Sequence, residues 1–318
     1  MMPVCVPNRE SSSSSLDTLS LDDILVEPRG SLGHAMIPAG CGELVQGTLD
    51  GEPVLVTCPI DWYSQVSVRL LPGSRWSLPA NLTKTATALR AGCQFLGLGE
   101  TGLQAHVAST IPWGRGYASS TADIGAALYA LGQACGHPLC AEDVAHLAVA
   151  IEPTDSSLFP GLTLYAYKTG VYQRLIGPPP ALSVVVFDPG VEVDTLAYNH
   201  VDRSAPLHGL ARPHREAFEL LVHSVEQGDI DGIGAAATLS ARLHQRLLYN
   251  PLLQDVLSLA AQVNGVGVCR AHSGSVLGIL LDTARTDLSR VVQYCRERME
   301  QPCDVSLHRM VGGGPIYR

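Results

Sequence analysis

The chain has 318 residues, a length that suits two domains sharing a cleft or one large domain. Its formal net charge of −9 argues against a nucleic-acid-binding protein, which normally carries a basic patch or a high pI, and no apolar run approaches the ~20 residues of a membrane span. Nine scattered cysteines without a Cys-x-x-Cys pair indicate reduced thiols and a cytoplasmic protein.

Residues 1–34 are predicted to form a disordered leader. The serine run at 11–15 is followed by several acidic residues, a composition that buries too little apolar surface to fold. The segment also lacks the basic start and apolar stretch of a secretory signal peptide. Ordered structure is therefore expected to begin near Ala35.

The N-terminal half is predicted to interleave strands and helices. Its first strand begins at Met36 and breaks into a glycine turn at 40–42. The spacing of apolar residues predicts the elements that follow. These are strands at 54–57, 62–70 and 103–109, helices at 82–96, directly after residues 119–120 and at 141–151, and a hairpin formed by 162–168 and 171–175.

A Gly-Pro-Pro-Pro stretch at 177–180 is the predicted domain boundary, because it is stiff and cannot continue a strand ladder. It separates an N-terminal domain at 35–177 from a C-terminal domain at 181–318. The predicted elements of the second domain are strands at 181–187, 266–270, 276–281 and 304–311, and helices at 212–227, 229–248, 251–263 and 287–299. Interleaved strands and helices indicate an α+β or α/β fold in two layers.

The segment 111–123 carries most of the functional signal. It runs from a strand through Gly114 and Gly116 into Ser119 and Ser120, and then into a helix. Glycines let a backbone approach a phosphate closely, and the free N–H groups at a helix N-terminus favour an anion. The pattern indicates a cradle for a nucleotide triphosphate. On the residues alone, an ordinary serine or threonine N-cap remains the alternative, whereas a P-loop is excluded because no Gly-x-x-x-x-Gly-Lys-Ser/Thr occurs.

Two carboxylates three residues apart, Glu152 and Asp155, follow the predicted helix at 141–151. Phosphoryl transfer needs a magnesium ion on the nucleotide phosphates and a residue that positions or deprotonates the attacking hydroxyl. Glu152 is the candidate metal ligand and Asp155 the candidate base. The alternative is turn chemistry, in which aspartate and serine bond their own backbone.

Three further residues are candidates for substrate contact. His272 begins a glycine–serine loop at 272–275, which offers backbone amides as a second wall for phosphates. On the residues alone, His272 is either a positioned donor or a packing residue. Glu43 and Asp61 are acids near turns and aromatic residues, and either suits a small cationic or hydroxylated substrate.

Taken together, these segments resemble the GHMP kinases, the family named for its galacto-, homoserine, mevalonate and phosphomevalonate kinases. The family motif Pro-x-x-x-Gly-x-x-Ser-Ser-x-Ala is matched at 112–122, and its late Ser-Gly-Ser-type loop at 272–275. The resemblance implies an α+β fold with an N-terminal domain like domain 2 of ribosomal protein S5 and a ferredoxin-like C-terminal domain. It also implies use of ATP and Mg²⁺, with Ser120 and Glu152 as metal ligands.

The family pattern assigns the nucleotide to the two glycine–serine loops. The residues so assigned are Pro112, Gly114, Arg115, Gly116, Tyr117, Ala118, Ser119, Ser120, Thr121, Ala122, Ser273, Gly274 and Ser275. By the same pattern Asp155 stands where several members keep a catalytic aspartate. If Asp155 is not well placed as a base, positioning and electrostatics suffice for the reaction, as the resemblance to homoserine kinase implies.

Five segments, at 38–47, 58–64, 118–124, 151–156 and 271–276, narrow the resemblance to the branch of the family that phosphorylates L-threonine. This implies O-phospho-L-threonine as product, a precursor of the linker in the cobalamin nucleotide loop. The alternatives are a kinase for another small amino acid or alcohol, such as homoserine, and a non-catalytic sensor of the same fold. The expected partner is a small molecule, with neither nucleic acid nor membrane involved.

Overall fold

The computed structural model describes residues 32–78, 80–99, 101–193 and 204–317. Its strands are β1 (Leu32–Leu49), β2 (Glu52–Leu71), β3 (Trp76–Ser77), β4 (Gly102–Ala108), β5 (Leu162–Tyr165), β6 (Gln173–Gly177), β7 (Leu182–Asp188), β8 (Gly267–Arg270), β9 (Leu277–Asp282), β10 (Asp304–Arg309) and β11 (Ile316–Tyr317). Its helices are α1 (Thr83–Phe95), α2 (Ser119–Ala134), α3 (Ala141–Val149), α4 (Ser204–Gly209), α5 (Ala211–Gln227), α6 (Ile230–His244), α7 (Leu253–Gln262) and α8 (Leu288–Arg298), with a 3₁₀ turn at Ser156–Leu158.

The predicted leader falls outside the described residues up to position 31. Its last three residues, 32–34, already belong to β1, so ordered structure begins slightly before the predicted Ala35. His34 shows why: its backbone N–H donates to Gln133 Oε1 on α2, and its Nδ1 lies 2.7 Å from Ser67 Oγ on β2. The start of β1 is therefore fixed by tertiary contacts that a polar local sequence does not reveal.

The strands pair in the order β10-β7-β9-β8-β1-β2-β4-β3, with β11 added to β1, and β5 joining β2 to β6. Strands from both sides of the 177–180 stretch share this sheet, because Glu43 of β1 pairs with Arg270 of β8. Helices on a mainly antiparallel sheet make the fold α+β, as predicted. The division into domains at 177–180 stays a prediction.

The long ribbon of β1 and β2 differs from the predicted strands. The expected glycine turn at 40–42 is wrong, because β1 continues to Leu49, and the expected strands at 54–57 and 62–70 are parts of one strand, β2. Register shifts on either side of Glu43 absorb the irregular backbone, and Gly42 takes a left-handed φ of +56°. A bulge of this kind keeps the ribbon paired while it re-aims one side chain.

Helix α2 lies at the centre of the larger core. It packs against β1, β2 and α1, and 14 of its 16 residues are buried. Glycine at position 125 permits close packing against the 3₁₀ turn, since an added Cβ would lie 2.2 Å from Leu158 Cδ2. A second apolar cluster joins β7, β8 and β9 to α7 and α8. Burial on all sides fixes the position of α2, so its N-terminus is a rigid platform for the residues before it.

Candidate active site

A cavity of about 280 Å³ opens where the N-termini of α1 and α2 meet the bulge of β1 and the segment that follows α3. The described residues that line it include four acids and one lysine. The acids are Glu43, Asp123, Glu152 and Asp155, and the lysine is Lys84. The lining also includes residues 113–114, 116–121 and 153–154, and Ser273. The cavity is concave, and its lining combines apolar surface with these charged side chains, as is usual for a site that binds a small polar ligand.

The loop before α2 turns sharply by means of left-handed residues. Gly114, Gly116 and Ala118 have φ values of +69°, +99° and +56°. Ala118 is the N-cap of α2, and no side chain in the described part of the chain caps this helix. The alternative of a serine or threonine N-cap is therefore wrong for this helix, and its first N–H groups stay available to an anion.

The late loop braces the early one. The N–H groups of Ser275 and Val276 donate to the carbonyl oxygen of Arg115 over 2.9 and 3.1 Å. Gly274 lies so close that an added Cβ would be 2.4 Å from Gly116 Cα. In this loop Ser273 lines the cavity, whereas the Ser275 hydroxyl donates to the carbonyl oxygen of Val191. The loop at 272–275, which was predicted to be a second wall for the phosphates, thus mainly supports the backbone of the loop before α2.

Two predicted nucleotide-binding side chains are anchored to the C-terminal half, although Tyr117 also lines the cavity. The Nη1 of Arg115 and the hydroxyl of Tyr117 both contact Oδ2 of Asp188, at 3.1 and 3.2 Å. Asp188 ends β7, so this contact ties the loop to the C-terminal half. Ala122 is fully buried in the core, and Pro112 precedes the loop. These residues shape the loop, and the cavity itself is lined by Tyr117, the loop glycines and the first turn of α2.

The predicted metal ligands meet at the start of α2. Ser120 donates its hydroxyl to Oε1 of Glu152, although 32 positions separate them in the chain. The Nζ of Lys84 donates to Oε2 of the same carboxylate over 2.5 Å. A hydroxyl beside a carboxylate is an oxygen donor pair of the kind that binds Mg²⁺ together with substrate phosphates. The described residues contain no group of three or more His, Cys, Asp or Glu that could hold a metal ion by themselves.

Lys84 is a site residue that the sequence analysis missed. Its signal was present, since the chain has only two lysines and this one stands at the start of the predicted helix at 82–96. Nothing local indicated that this helix begins beside Glu152.

Asp155 faces the first turn of α2. The hydroxyl of Thr121 donates to Oδ2 of Asp155 over 3.1 Å, and the backbone N–H of Asp155 donates to the same hydroxyl oxygen. Burial, followed by the negative charges of Glu43 and Glu152, raises the pKa of Asp155 to about 7, against the lowering effect of the Thr121 bond. A carboxyl that titrates near neutral pH is suited to accept a proton. Its side-chain bond to α2 goes beyond the turn chemistry that was the alternative.

Glu43 projects from the bulge of β1 into the cavity. Its Oε2 accepts from the backbone N–H of His272 at 2.9 Å and lies 2.7 Å from His272 Nδ1. Burial raises the pKa of Glu43 to about 8, although the His272 backbone bond acts in the opposite direction. Glu43 is thus a carboxyl held in one orientation, with a protonation state that changes near neutral pH.

His272 lies behind Glu43, and the expectation that it contacts substrate is not met. Its side chain is fully buried, its Nε2 lies 3.3 Å from Ser240 Oγ, and its carbonyl oxygen is 2.8 Å from His244 Nε2. Burial, then the charge of Arg270, lowers the pKa of His272 well below its usual range. Nδ1 faces two acceptors, Glu43 and the carbonyl oxygen of Arg270, so the neutral ring carries its proton there. The residue therefore orients Glu43.

Asp61 also lies away from the cavity, contrary to the predicted substrate contact. Its carboxylate accepts from the backbone N–H and Nε of Arg309, at 2.9 and 3.0 Å, which links β2 to β10. The neighbouring Trp62 stacks on His308, with ring centroids 5.4 Å apart. These contacts assign the segment to packing between the two halves.

The chain is similar to known proteins in both sequence and fold. Residues 81–159 match the GHMP kinases N terminal domain. The chain is 37% identical over 257 residues to an L-threonine kinase of Salmonella typhimurium, a match that covers 81% of this chain and 85% of that protein. It is 33% identical over 305 residues to an L-threonine kinase of Citrobacter freundii, covering 88% and 98%.

A crystal structure of homoserine kinase from Cytophaga hutchinsonii superposes with a TM-score of 0.67 at 18% sequence identity, covering 92% of this chain and 99% of that one. At this identity the similarity establishes the fold alone.

Proposed function

The chain belongs to the GHMP kinase family, and from that premise we propose that it transfers the γ-phosphoryl group of ATP to the hydroxyl of L-threonine. The observation that carries the proposal is the meeting of Asp155, Ser120 and Glu152 at an uncapped helix N-terminus. The names of the two relatives support threonine as the acceptor.

The nucleotide phosphates are assigned to the loop at 114–118 and the first turn of α2. Backbone N–H groups there stabilise the negative charge that shifts toward the leaving ADP. Ser120 and Glu152 would hold a magnesium ion, because they place a hydroxyl and a carboxylate oxygen together at the mouth of the loop. When bound, the ion supplies charge neutralisation on the phosphates. The protein itself supplies a fixed helix terminus.

Asp155 accepts the proton of the threonine hydroxyl. The hydroxyl oxygen forms a bond to the γ-phosphorus, the bond from that phosphorus to the ADP oxygen breaks, and the proton passes to the Asp155 carboxylate. Thr121 holds Oδ2 of Asp155, so the side chain is oriented before substrate binds.

Glu43 is the proposed partner of the substrate ammonium group. His272 engages its Oε2, and we assign Oε1 to the ammonium. An ammonium beside Glu43 favours the ionised carboxylate, because an opposite charge at short range lowers the pKa of an acid. This contact would distinguish amino-acid alcohols from alcohols without an ammonium group.

The proposed product is O-phospho-L-threonine, a precursor of the linker in the cobalamin nucleotide loop. We place the reaction in the cytoplasm, which the free thiols of all eight cysteines in the described segments support. No helix within those segments is long and apolar enough to cross a membrane.

A coupled assay of ADP release tests the proposal. The purified chain is incubated with ATP, Mg²⁺ and one acceptor at a time: L-threonine, L-serine, L-homoserine, D-threonine or none. The proposal expects the highest kcat/KM with L-threonine. Equal or higher kcat/KM with L-homoserine would identify the alternative kinase, and nucleotide binding without any ADP release would identify a sensor.

A further inference from the structure

Lys84 lies in the cavity and has no role in the proton and phosphoryl transfers assigned to Asp155, Ser120 and Glu152. Its Nζ is 2.5 Å from Oε2 of Glu152, and the side chains are 39% and 9% exposed. The hydroxyl of Ser120 donates a hydrogen bond to the other oxygen of this carboxylate, Oε1. Both oxygens of the assigned metal-binding carboxylate thus have partners before a nucleotide arrives.

The charges that line the cavity indicate a role for Lys84 besides its salt bridge with Glu152. Four carboxyl side chains line the cavity, and of the described lining residues Lys84 alone has a cationic side chain. A triphosphate adds a strongly negative group to these acids. The sources of positive potential available to it are the N-termini of α1 and α2 and the ammonium of Lys84.

The position of Lys84 permits a transfer between two anions. It is the second residue of α1, and residues 81–85 at the start of that helix all line the cavity. The N-cap of α1 is Leu82, and no described side chain caps it. A lysine ammonium is a point charge on a flexible four-carbon stem, so it can move between nearby anions without a change of the backbone.

We propose that Lys84 is a ligand of the nucleotide phosphates. In the nucleotide-free protein its ammonium forms a salt bridge with the carboxylate of Glu152, the assigned metal ligand. The inference rests on the proposed function for the identity of the nucleotide site. A divalent cation that binds Glu152 displaces the ammonium, which then pairs with the phosphates. Lys84 therefore opposes binding of the metal alone and favours binding of the metal–nucleotide complex.

Substitution by methionine separates these two effects, because methionine keeps most of the stem and removes the charge. In Lys84→Met, the Kd for ATP with Mg²⁺ should rise at least fivefold. Binding of Mn²⁺ to the nucleotide-free variant, followed by electron paramagnetic resonance, should be tighter than to the unmodified chain. Lys84→Arg should keep ATP affinity within fivefold, because the charge is retained.

The experiment uses the full chain, isothermal titration with ATP and no acceptor. Arg174→Met is the matched control, since Arg174 pairs with Glu226 on the surface at 3.1 Å and both side chains are about half exposed. A rise in Kd below fivefold in Lys84→Met would overturn phosphate ligation by Lys84. Mn²⁺ binding to Lys84→Met that is no tighter than to the unmodified chain would overturn the competition between Lys84 and the metal for Glu152.

If Lys84→Met does not fold, as judged by circular dichroism, Lys84→Gln and Lys84→Arg are compared by the same titrations and thresholds. Because no acceptor is present, failure of L-threonine as a substrate leaves these binding results standing. Conversely, threonine phosphorylation with normal ATP binding by Lys84→Met would refute only the role of Lys84.

Discussion

Replacement of Asp155 by asparagine separates proton acceptance from the shape of the side chain. Thr121 can still donate to the amide oxygen, so the loop position should be retained. The amide cannot accept the hydroxyl proton. General-base help contributes roughly 10²–10⁴-fold, and we expect kcat of Asp155→Asn to fall by that factor, or about 2.7–5.5 kcal/mol in activation free energy.

The pH dependence gives a sharper signature than the loss of rate. Because the pKa of Asp155 is about 7, kcat of the unmodified chain at saturating threonine should rise through neutral pH and level above it. At pH 6 the rate should lie well below its plateau, since the protonated carboxyl cannot accept the hydroxyl proton. Asp155→Asn should lack this ascending limb.

Two controls identify the titrating group. Asp123→Asn makes the same chemical change in the same cavity, but Asp123 is bonded to Ser64 at 2.6 Å, and the ascending limb should remain. Glu43 is ionised by the substrate ammonium in the proposed complex, and its negative charge raises the pKa of Asp155, so in Glu43→Gln the limb should move to lower pH. An unchanged limb in Asp155→Asn would refute the assignment of the base, and the reaction would then rest on positioning and charge stabilisation.

The remaining predictions concern the metal site, the glycine loop and the buried acid. Ser120→Ala should change the free energy of unfolding by less than ~1 kcal/mol, because Ala118 is the N-cap. The same variant should raise the Mg²⁺ concentration for half-maximal rate at least tenfold. A large loss of stability with normal Mg²⁺ dependence in the assay would contradict this prediction. Gly116→Ala should cost about 1–3 kcal/mol in urea unfolding, because φ is +99° and the new Cβ would lie 2.2 Å from Ala271 Cβ, and unchanged stability would be inconsistent with the packed loops. Between about pH 5 and 8 the native Glu43, with its pKa of about 8, retains a proton that the unfolded chain has lost, so the free energy of unfolding should decrease with rising pH by up to about 1.4 kcal/mol per pH unit for this group. Urea unfolding over that range should give a shallower slope for Glu43→Gln, and parallel slopes would contradict the assignment.

The parts of the fold and site that could be predicted rest on local patterns. Glycines at 114 and 116 before a helix with apolar spacing indicated the loop and α2, and both are present within a residue or two. Helices such as α7 and α8 lie within two residues of their predicted bounds. Local conformational preference and the helical period determine these features, so one sequence suffices.

The parts that could not be predicted depend on residues far apart in the chain. Lys84 meets Glu152 across 68 positions, and His272 meets Glu43 across 229. Asp61 accepts a hydrogen bond from Arg309 across 248 positions, so a residue that was predicted to contact substrate instead links two strands. No spacing rule gives such pairs, because they follow from how the sheet brings its strands together. The bulge at Glu43 was likewise mistaken for a turn, since glycine is common to both.

A competition between acceptors tests the central claim most directly. Equimolar L-threonine and L-homoserine are mixed with limiting ATP, Mg²⁺ and the full chain, and the phosphorylated products are separated and identified by mass spectrometry. The product ratio at low conversion equals the ratio of the two kcat/KM values. We expect O-phospho-L-threonine to be the main product. A majority of O-phospho-L-homoserine, or no phosphorylated amino acid when ATP is bound, would contradict the account.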